Sequence, residues 1–336
     1  MSKQPSAVLA GDIGGTKTRL AIFSSESSQG KAAAEATFSS RIYPNLETIV
    51  REFLSQVKTK VNCASFGVAG PVINGQAKIT NLPWIIDEKR LTDTLGFSRV
   101  YLMNDLMAAA LAIPLLEREE IFTLNRGNTV SGGTIAVIAP GTGLGQAYLT
   151  WDGSKYRPYP SEGGHADFAP TNPAETRLLL YLMDRFGHVS TEHVCSGIGL
   201  KNLYEFLKEN EHNEYGEEPL WLAEQLSNAQ DPVPFIVGAA LDDKKPCRLC
   251  QTTLEQFISI LGAETGNMAL RMMATGGIYL GGGIPPRIVP ALKKGLFMKA
   301  FRSKGRMSDL MDAFPVHVIL SHRIGLMGAA AQGFRF

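Results

Sequence analysis

The feature that most constrains this chain is a glycine-rich segment near its start, Gly11-Asp12-Ile13-Gly14-Gly15-Thr16-Lys17-Thr18. Apolar residues 7–10 precede it, and a run at 19–23 with no helical period follows it. The segment therefore predicts a turn between two strands, whereas a P-loop or a dinucleotide fingerprint leads from a strand into a helix. Backbone N–H groups of such a hairpin can cradle an anion, because glycine lets a phosphate approach the main chain closely.

Two further glycine clusters follow apolar runs later in the chain. Residues 134–139 lead into the turn Pro140-Gly141-Thr142-Gly143-Leu144-Gly145, and 146–150 then predict a returning strand. The third cluster, Gly281-Gly282-Gly283, follows the apolar run 278–280. Each cluster alone is better explained as an ordinary tight turn. Three of them together favour a nucleotide held between two lobes.

Length and composition limit the remaining classes of function. A chain of 336 residues exceeds what one hydrophobic core usually covers, so two domains are expected. The net charge of +1 gives no electrostatic case for nucleic acid or an anionic membrane. No apolar run approaches the roughly 20 residues of a membrane span, and the N-terminus lacks the apolar core of a signal peptide. We therefore expect a cytoplasmic protein with neither nucleic acid nor membrane as partner.

The four cysteines are Cys63, Cys195, Cys247 and Cys250. We expect Cys63 and Cys195 to be reduced and structural, as in the cytosol. Cys247 and Cys250 have zinc-knuckle spacing, but a structural zinc site usually needs a second pair, and the chain has none. Two thiols near the start of a helix are therefore the favoured interpretation.

Hydrophobic spacing predicts mixed sheets packed by helices. In the first half we expect strands within 6–44, an amphipathic helix over 46–57, strands at 63–68 and 99–103, and a helix from Asn104-Asp105 to Pro114. In the second half we expect strands up to about 150, mainly helix over 173–275 with a polar loop at 211–219, strands at 278–281 and 315–320, and a final helix of small residues at 325–331.

Polar side chains suited to a sugar occur at three places. Asn104 and Asp105 stand at a strand-to-helix junction, where a helix cap alone would be the better explanation. The proline-flanked loop 161–168 carries Glu162 and His165, and would alone be equally well a surface turn. Glu192 could be a solvated residue at a helix start. Together they favour a polyol site, because carboxylates accept hydroxyl hydrogen bonds while Asn and His donate or accept.

With these motifs in hand, the chain resembles the bacterial glucokinase family, whose fold is the two-lobed actin-like (hexokinase-type) ATPase fold. The resemblance rests on pieces that occur in order along nearly the whole chain: Gly11–Thr16, Val68-Ala69-Gly70-Pro71-Val72, Leu102–Asp105, Ala139–Gly145, Ser161–Phe168, Ser190–Gly197 and Gly281–Ile284. The Glu-Gly-Gly-His and Asn-Asp pieces are specific to the family, while the glycine turns mark only the superfamily. A related repressor and sugar-kinase group carries a Cys-rich zinc motif after its sugar-binding His, and nothing after His165 supplies one.

The resemblance implies an α/β, actin-like and ribonuclease H-like fold with a cleft between its lobes. We expect a small α/β lobe of residues 1–115 and 321–336 and a larger α+β lobe of residues 116–320. It also implies an ATP-dependent kinase that phosphorylates the 6-hydroxyl of D-glucose, the entry step of glycolysis. A homodimer is expected from the resemblance alone.

The family's residue roles carry over to matching positions. Asp105 would be the general base, and the sugar's other hydroxyls would be bound by Asn104, Glu162, His165 and Glu192. The ATP-binding residues would be Gly11, Asp12, Ile13, Gly14, Gly15, Thr16, Gly141, Thr142 and Gly143, with Gly282 and Gly283 near adenosine. Asp12 would face Mg²⁺ through water.

Four alternatives stay open. The substrate could be another hexose such as mannose or glucosamine, and the donor could be ADP or polyphosphate. A non-catalytic sugar sensor could reuse the fold, although the presence of Asp105 and of intact phosphate turns speaks against it. A filament-forming actin-like ATPase would not need the Glu162 and His165 loop.

Overall fold

The computed structural model describes residues 5–25, 31–79, 82–209 and 216–335. The chain divides into two compact units, each with its own core. The first comprises Met1–Glu120, Lys155–Pro160 and Ser321–Phe336, and the second comprises Ile121–Ser154 and Ser161–Leu320.

The first unit is built on a five-stranded sheet. Its elements up to residue 120 are β1 (Ala7–Ile13), β2 (Lys17–Ser24), β3 (Ala32–Ser39), α1 (Leu46–Ser55), β4 (Cys63–Val68), β5 (Val72–Ile73), β6 (Gln76–Lys78), β7 (Ile85–Asp87), α2 (Glu88–Leu95), β8 (Arg99–Asn104) and α3 (Asp105–Ala112). The sheet has the order β3-β2-β1-β4-β8, and β5, β6 and β7 form a small separate sheet. Strands β1 and β2 pair antiparallel with Ile13 opposite Thr18, so the predicted first hairpin is confirmed.

The second unit holds a sheet in which β11, β10, β13, β14 and β9 are neighbours in that order. Its elements are β9 (Ile121–Asn125), β10 (Ile135–Pro140), β11 (Leu144–Trp151), α4 (Pro173–Phe186), α5 (Gly197–Lys208), α6 (Leu220–Ser227), α7 (Val233–Leu241), α8 (Arg248–Met272), β13 (Gly277–Leu280), α9 (Val289–Leu292), α10 (Leu296–Arg302), α11 (Ser308–Met311) and β14 (Val316–Ile319). Strand β12 (Tyr156–Ser161) follows β11 along the chain. The second hairpin, β10 with β11, is antiparallel as expected.

Helix α12 (Ile324–Gly333) packs within the first unit, on α3 and β1. Its small residues allow this close approach, since a β-carbon at Gly328 would overlap the carbonyl oxygen of Ala108. Leu326 and Ala329 join Ala10 of β1 in one buried cluster. The predicted final helix is confirmed.

The remaining sequence expectations have clear outcomes. Helix α8 begins at Arg248, so Cys247 and Cys250 lie at a helix start as expected, and all four cysteines are buried free thiols. Residues 211–215 of the predicted polar loop lie outside the described residues, and 216–219 are neither helix nor strand. Among the helices that the structure describes, none has both the length and the apolar character to cross a bilayer.

Candidate active site

The first glycine turn joins β1 to β2 and is fixed by its neighbours. The N–H of Gly14 donates to the Lys17 carbonyl at 2.9 Å, and the Ser40 hydroxyl donates to the Gly14 carbonyl at 2.8 Å. Gly11 must be glycine, because a β-carbon there would overlap the ring of Phe66. The turn therefore has a defined backbone, which a phosphate cradle requires.

Asp12 and Asp105 belong to the same edge of the first sheet. Strands β1, β4 and β8 run parallel, with Asp12 opposite Gly67 and Val68 opposite Asn104. Gly67 lets helix α3 pack closely on the sheet, since a β-carbon there would lie 3.0 Å from the Ala108 β-carbon and 3.5 Å from the Asp105 Cα. Carboxyl ends of parallel strands are where α/β proteins place ligand sites, and here they bring two carboxylates near each other.

Asn104 caps helix α3. Its Oδ1 accepts hydrogen bonds from the backbone N–H groups of Leu106 at 2.9 Å and Met107 at 3.3 Å. Its Nδ2 donates to the Gly70 carbonyl at 3.3 Å. The capping alternative is thus confirmed for Asn104, and any contact with a sugar would fall to its amide nitrogen.

Burial raises the pKa of Asp105 to about 6. The N–H of Leu106, which donates to Asp105 Oδ1 at 2.8 Å, opposes the shift, and the negative charge of Asp12 adds to it. Burial also raises the pKa of Asp12, while the Arg19 guanidinium opposes that shift. Although neighbouring groups keep much of the solvent away from its carboxyl group, Asp105 is an exposed residue, so a ligand can reach it.

The second and third glycine clusters adjoin each other within the second unit. Strands β10 and β13 run parallel, and the N–H of Gly281 donates to the Ile138 carbonyl at 2.9 Å. Gly282 has a φ of +78°, and a β-carbon there would overlap the Pro140 carbonyl. The N–H of Gly197, at the start of α5, donates to the Gly141 carbonyl at 2.8 Å. The two glycine clusters and a helix start therefore meet at one place.

A cavity of about 760 Å³ opens at this meeting point. Its glycine-turn lining is Gly141, Thr142 and Gly283, and side chains of Ile198, Lys201 and Arg287 add apolar and basic groups. Such a mixture suits a flat apolar ring joined to an anion. The cavity is within the size range of small-molecule sites.

The Glu-Gly-Gly-His loop forms a single helical turn, Gly163–His165, directly after Glu162. The side chains of Glu162 and His165 are 86% and 64% exposed, with His165 Nε2 3.9 Å from Glu162 Oε2. The loop lies on β11, because β-carbons at Gly163 and Gly164 would overlap Gln146 Oε1 and the Leu144 carbonyl. Its polar groups are thus presented outward from a fixed backbone.

Glu192 lies against the second glycine turn. Its Oε2 accepts a hydrogen bond from the Leu144 N–H at 2.7 Å, and a β-carbon at Gly143 would overlap the same oxygen. Glu192 is half-buried, so the solvated alternative for this residue is wrong. One oxygen of the Glu192 carboxylate therefore contacts the second glycine turn, which leaves Oε1 for another partner.

Within each unit, the structure groups the predicted residues. The first unit brings together Gly11–Thr16, Asn104 and Asp105. The second brings Glu192 to Gly143, Gly282 to Pro140, and the Glu162–His165 loop to β11. Sequence reasoning missed Gln146, which is 4% exposed and the one polar side chain with a buried position in β11. The sequence signal that could have identified Gln146 is a side-chain amide within an otherwise largely apolar strand.

Comparison with solved structures identifies the fold. A glucokinase from an Antarctic psychrotroph superposes with a TM-score of 0.84 at 32% identity, covering 98% of this chain and 99% of that chain. A ROK family glucokinase from Streptomyces griseus, solved with glucose and AMPPNP, gives a TM-score of 0.63 at 20% identity, over 98% and 100%. The chain therefore has the two-lobed actin-like fold of sugar kinases, and the predicted fold class is confirmed.

The sequence comparisons define the family more narrowly. The Glucokinase family model matches residues 9–334. The glucokinase of Nostoc punctiforme is 40% identical, covering 96% of this chain and 97% of its own, and that of Salmonella arizonae is 36% identical over 96% of both. The chain belongs to the glucokinase family, as its motifs predicted.

Proposed function

We propose that this chain is an ATP-dependent hexose kinase that transfers the γ-phosphoryl group of ATP to the 6-hydroxyl of D-glucose, giving glucose 6-phosphate and ADP. Membership of the glucokinase family supports the reaction and the substrate. The single structural observation that carries the proposal is Asp105, an accessible carboxylate beside Asp12 at the end of parallel strands, with its pKa raised to about 6.

Asp105 would act as the general base. The 6-hydroxyl oxygen attacks the γ-phosphorus, the bond from that phosphorus to the bridging oxygen of ADP breaks, and the hydroxyl proton passes to the Asp105 carboxylate. A base with a pKa near the working pH is effective, because it is ionised before the transfer and binds the proton during it. The N–H of Leu106 at one Asp105 oxygen fixes the carboxylate, so the other oxygen can face the substrate.

The remaining hydroxyls would be bound by Asn104, Glu162, His165 and Glu192. Asn104 has its Nδ2 for this, since Oδ1 caps α3. Glu162 and His165 lie 3.9 Å apart, so one hydroxyl can donate to the carboxylate and accept from the imidazole. A sugar lacking a matched hydroxyl would leave a buried group unpaired, which is how such a site selects its substrate.

The glycine turns would hold the ATP phosphates, and the cavity beside Gly283 would take the adenosine. Oxygen donors suit Mg²⁺, which is commonly held by one or two carboxylates, the substrate phosphates and waters. Asp12 can be such a carboxylate, and no cluster of three metal-ligating side chains occurs in the described part of the chain. Asp12 would hold Mg²⁺ through water, and the ion would neutralise charge on the transferred group.

We propose a small lobe of residues 1–115 and 321–336 and a large lobe of residues 116–320. We propose a cytoplasmic location, consistent with the four buried free thiols. We also propose a homodimer, which rests on the family alone.

Steady-state kinetics with a panel of hexoses and donors tests the proposal. We expect glucose to give the largest kcat/KM and ATP to exceed ADP and polyphosphate as donor. A larger kcat/KM for mannose or glucosamine would reassign the substrate. Sugar binding without ADP release would identify a sensor, and ATPase activity indifferent to sugar would identify an actin-like ATPase.

The raised pKa of Asp105 predicts an acidic limb in the pH profile. Asp105 acts as a base only when ionised, and its pKa lies near 6 rather than 3.8. We therefore expect kcat/KM for glucose to fall about tenfold for each pH unit below 6. The measurement is kcat/KM from pH 4.5 to 8 with coupling enzymes in excess. A profile that stays flat down to pH 5 would contradict the assignment.

Gly282 offers a stability prediction. Replacing it with alanine adds the cost of a positive φ and an overlap with the Pro140 carbonyl. The control is Gly295→Ala, since Gly295 has a φ of +92° but open space around its β-carbon position. We expect the free energy of unfolding of Gly282→Ala, measured in urea, to be about 2 kcal/mol lower than that of Gly295→Ala. We also expect Gly282→Ala to have a higher KM for ATP. Equal stabilities of the two variants would show that the overlap is relieved without cost.

A further inference from the structure

Gln146 is a buried amide directly beneath the Glu-Gly-Gly-His loop. It is 4% exposed, and its Oε1 occupies the space that a β-carbon at Gly163 would need. Its Nε2 donates to Glu264 Oε1 at 3.0 Å. The amide is therefore held from one side by α8 and contacts the loop on the other side.

Glu264 belongs to a buried polar network within the second unit. Its side chain is 7% exposed, and besides the bond from Gln146 it accepts hydrogen bonds from Arg271 Nη1 at 3.3 Å and from Asn267 Nδ2 at 3.0 Å. Asn267 Oδ1 in turn accepts from Lys304 Nζ at 2.7 Å. A buried carboxylate with this many donors has little freedom to move, because each lost hydrogen bond would leave a charged group unpaired.

We propose that Gln146 and Glu264 form a positioning pair that holds the Glu162–His165 loop in the position that sugar binding requires. This inference rests on the proposed function. Among the described residues of the second unit, the hydrogen bonds of the two side chains do not involve Gly141, Thr142 or Gly143. The pair meets the loop at Gly163, whose lack of a side chain lets the amide lie directly against the loop backbone. Neither member is a catalytic residue.

Exchanging the amide and the carboxylate between the two positions tests the proposal. Gln146→Glu places a second carboxylate against Glu264, so the two repel and the loop is displaced. Adding Glu264→Gln restores one donor and one acceptor in swapped positions. We expect Gln146→Glu to raise the KM and the calorimetric Kd for glucose about tenfold, with the KM for ATP within about twofold of wild type. The double variant should return the glucose KM to within about threefold of wild type.

The matched control is Thr253→Val on the same helix. Thr253 is buried, and its hydroxyl donates to the Leu249 carbonyl one turn earlier, so its loss should lower the melting temperature without changing the glucose KM. If Gln146→Glu does not fold, Gln146→Met removes the amide at similar volume and should show the same selective rise in glucose KM.

The proposal is wrong if the glucose KM of Gln146→Glu stays within about twofold of wild type, if glucose and ATP constants rise together, or if the double variant gives no recovery. Failure of the proposed function would look different, because wild-type protein would then not phosphorylate glucose at all. The calorimetric Kd for glucose, measured without ATP, keeps the two failures distinguishable.

Discussion

Replacing Asp105 with asparagine is expected to lower kcat by about 10²–10⁴-fold, the usual contribution of a general base. The amide keeps the shape of the side chain and can still accept from the Leu106 N–H, so α3 should begin as before. It cannot take the proton from the 6-hydroxyl. The KM for ATP and the Kd for glucose should therefore change by no more than a few-fold. Stopped assays of glucose 6-phosphate over hours give the residual rate.

The control for Asp105→Asn is Asp93→Asn in the same unit. Asp93 is an exposed carboxylate that pairs with Lys89 at 2.6 Å on helix α2. Its replacement should leave kcat within twofold, because exposed ion pairs contribute little. If Asp105→Asn retained more than about a tenth of the wild-type turnover, the proton would be accepted elsewhere and the assignment of the base would fail.

Replacing Glu192 with alanine is expected to lower kcat/KM for glucose by about 100-fold, the effect of losing a hydrogen bond to a charged group. The same change removes the acceptor of the Leu144 N–H, which follows the Gly141–Gly143 turn. Because the turn would then lose this stabilising hydrogen bond, the KM for ATP should rise as well. Steady-state kinetics with both substrates varied gives the two effects separately.

Glu192→Gln separates the effect of the hydrogen bond to Leu144 from the effect of the negative charge. The glutamine oxygen can still accept from the Leu144 N–H, so the KM for ATP should stay near the wild-type value. The kcat/KM for glucose should fall by a smaller factor than in Glu192→Ala. An ATP KM that rises equally in both variants would show that the charge, rather than the hydrogen bond to Leu144, supports the turn.

Much of the fold could be predicted because the signals were local. The two hairpins follow from apolar runs that flank glycine turns, and helix α1 follows from buried positions with helical spacing, capped by Asn45. The junction at Asn104 was predictable for the same reason, since Asn is a preferred cap and the structure uses it as one.

Contacts between distant segments were not predictable. Glu192 and Leu144 are 48 positions apart, and Gln146 and Glu264 are 118 apart. No spacing rule links such residues, because sheet order and helix packing bring them together. The pKa of Asp105 is a similar case, since burial and the charge of Asp12 set it and neither appears in the local sequence.

The most direct test of the central claim is ³¹P nuclear magnetic resonance of a reaction containing wild-type protein, ATP, Mg²⁺ and D-glucose. We expect a phosphomonoester signal of glucose 6-phosphate that grows in equal amount with ADP, and we expect this signal to be nearly absent with Asp105→Asn. ADP accompanied by free phosphate, or a phosphate ester at another carbon of the sugar, would contradict it.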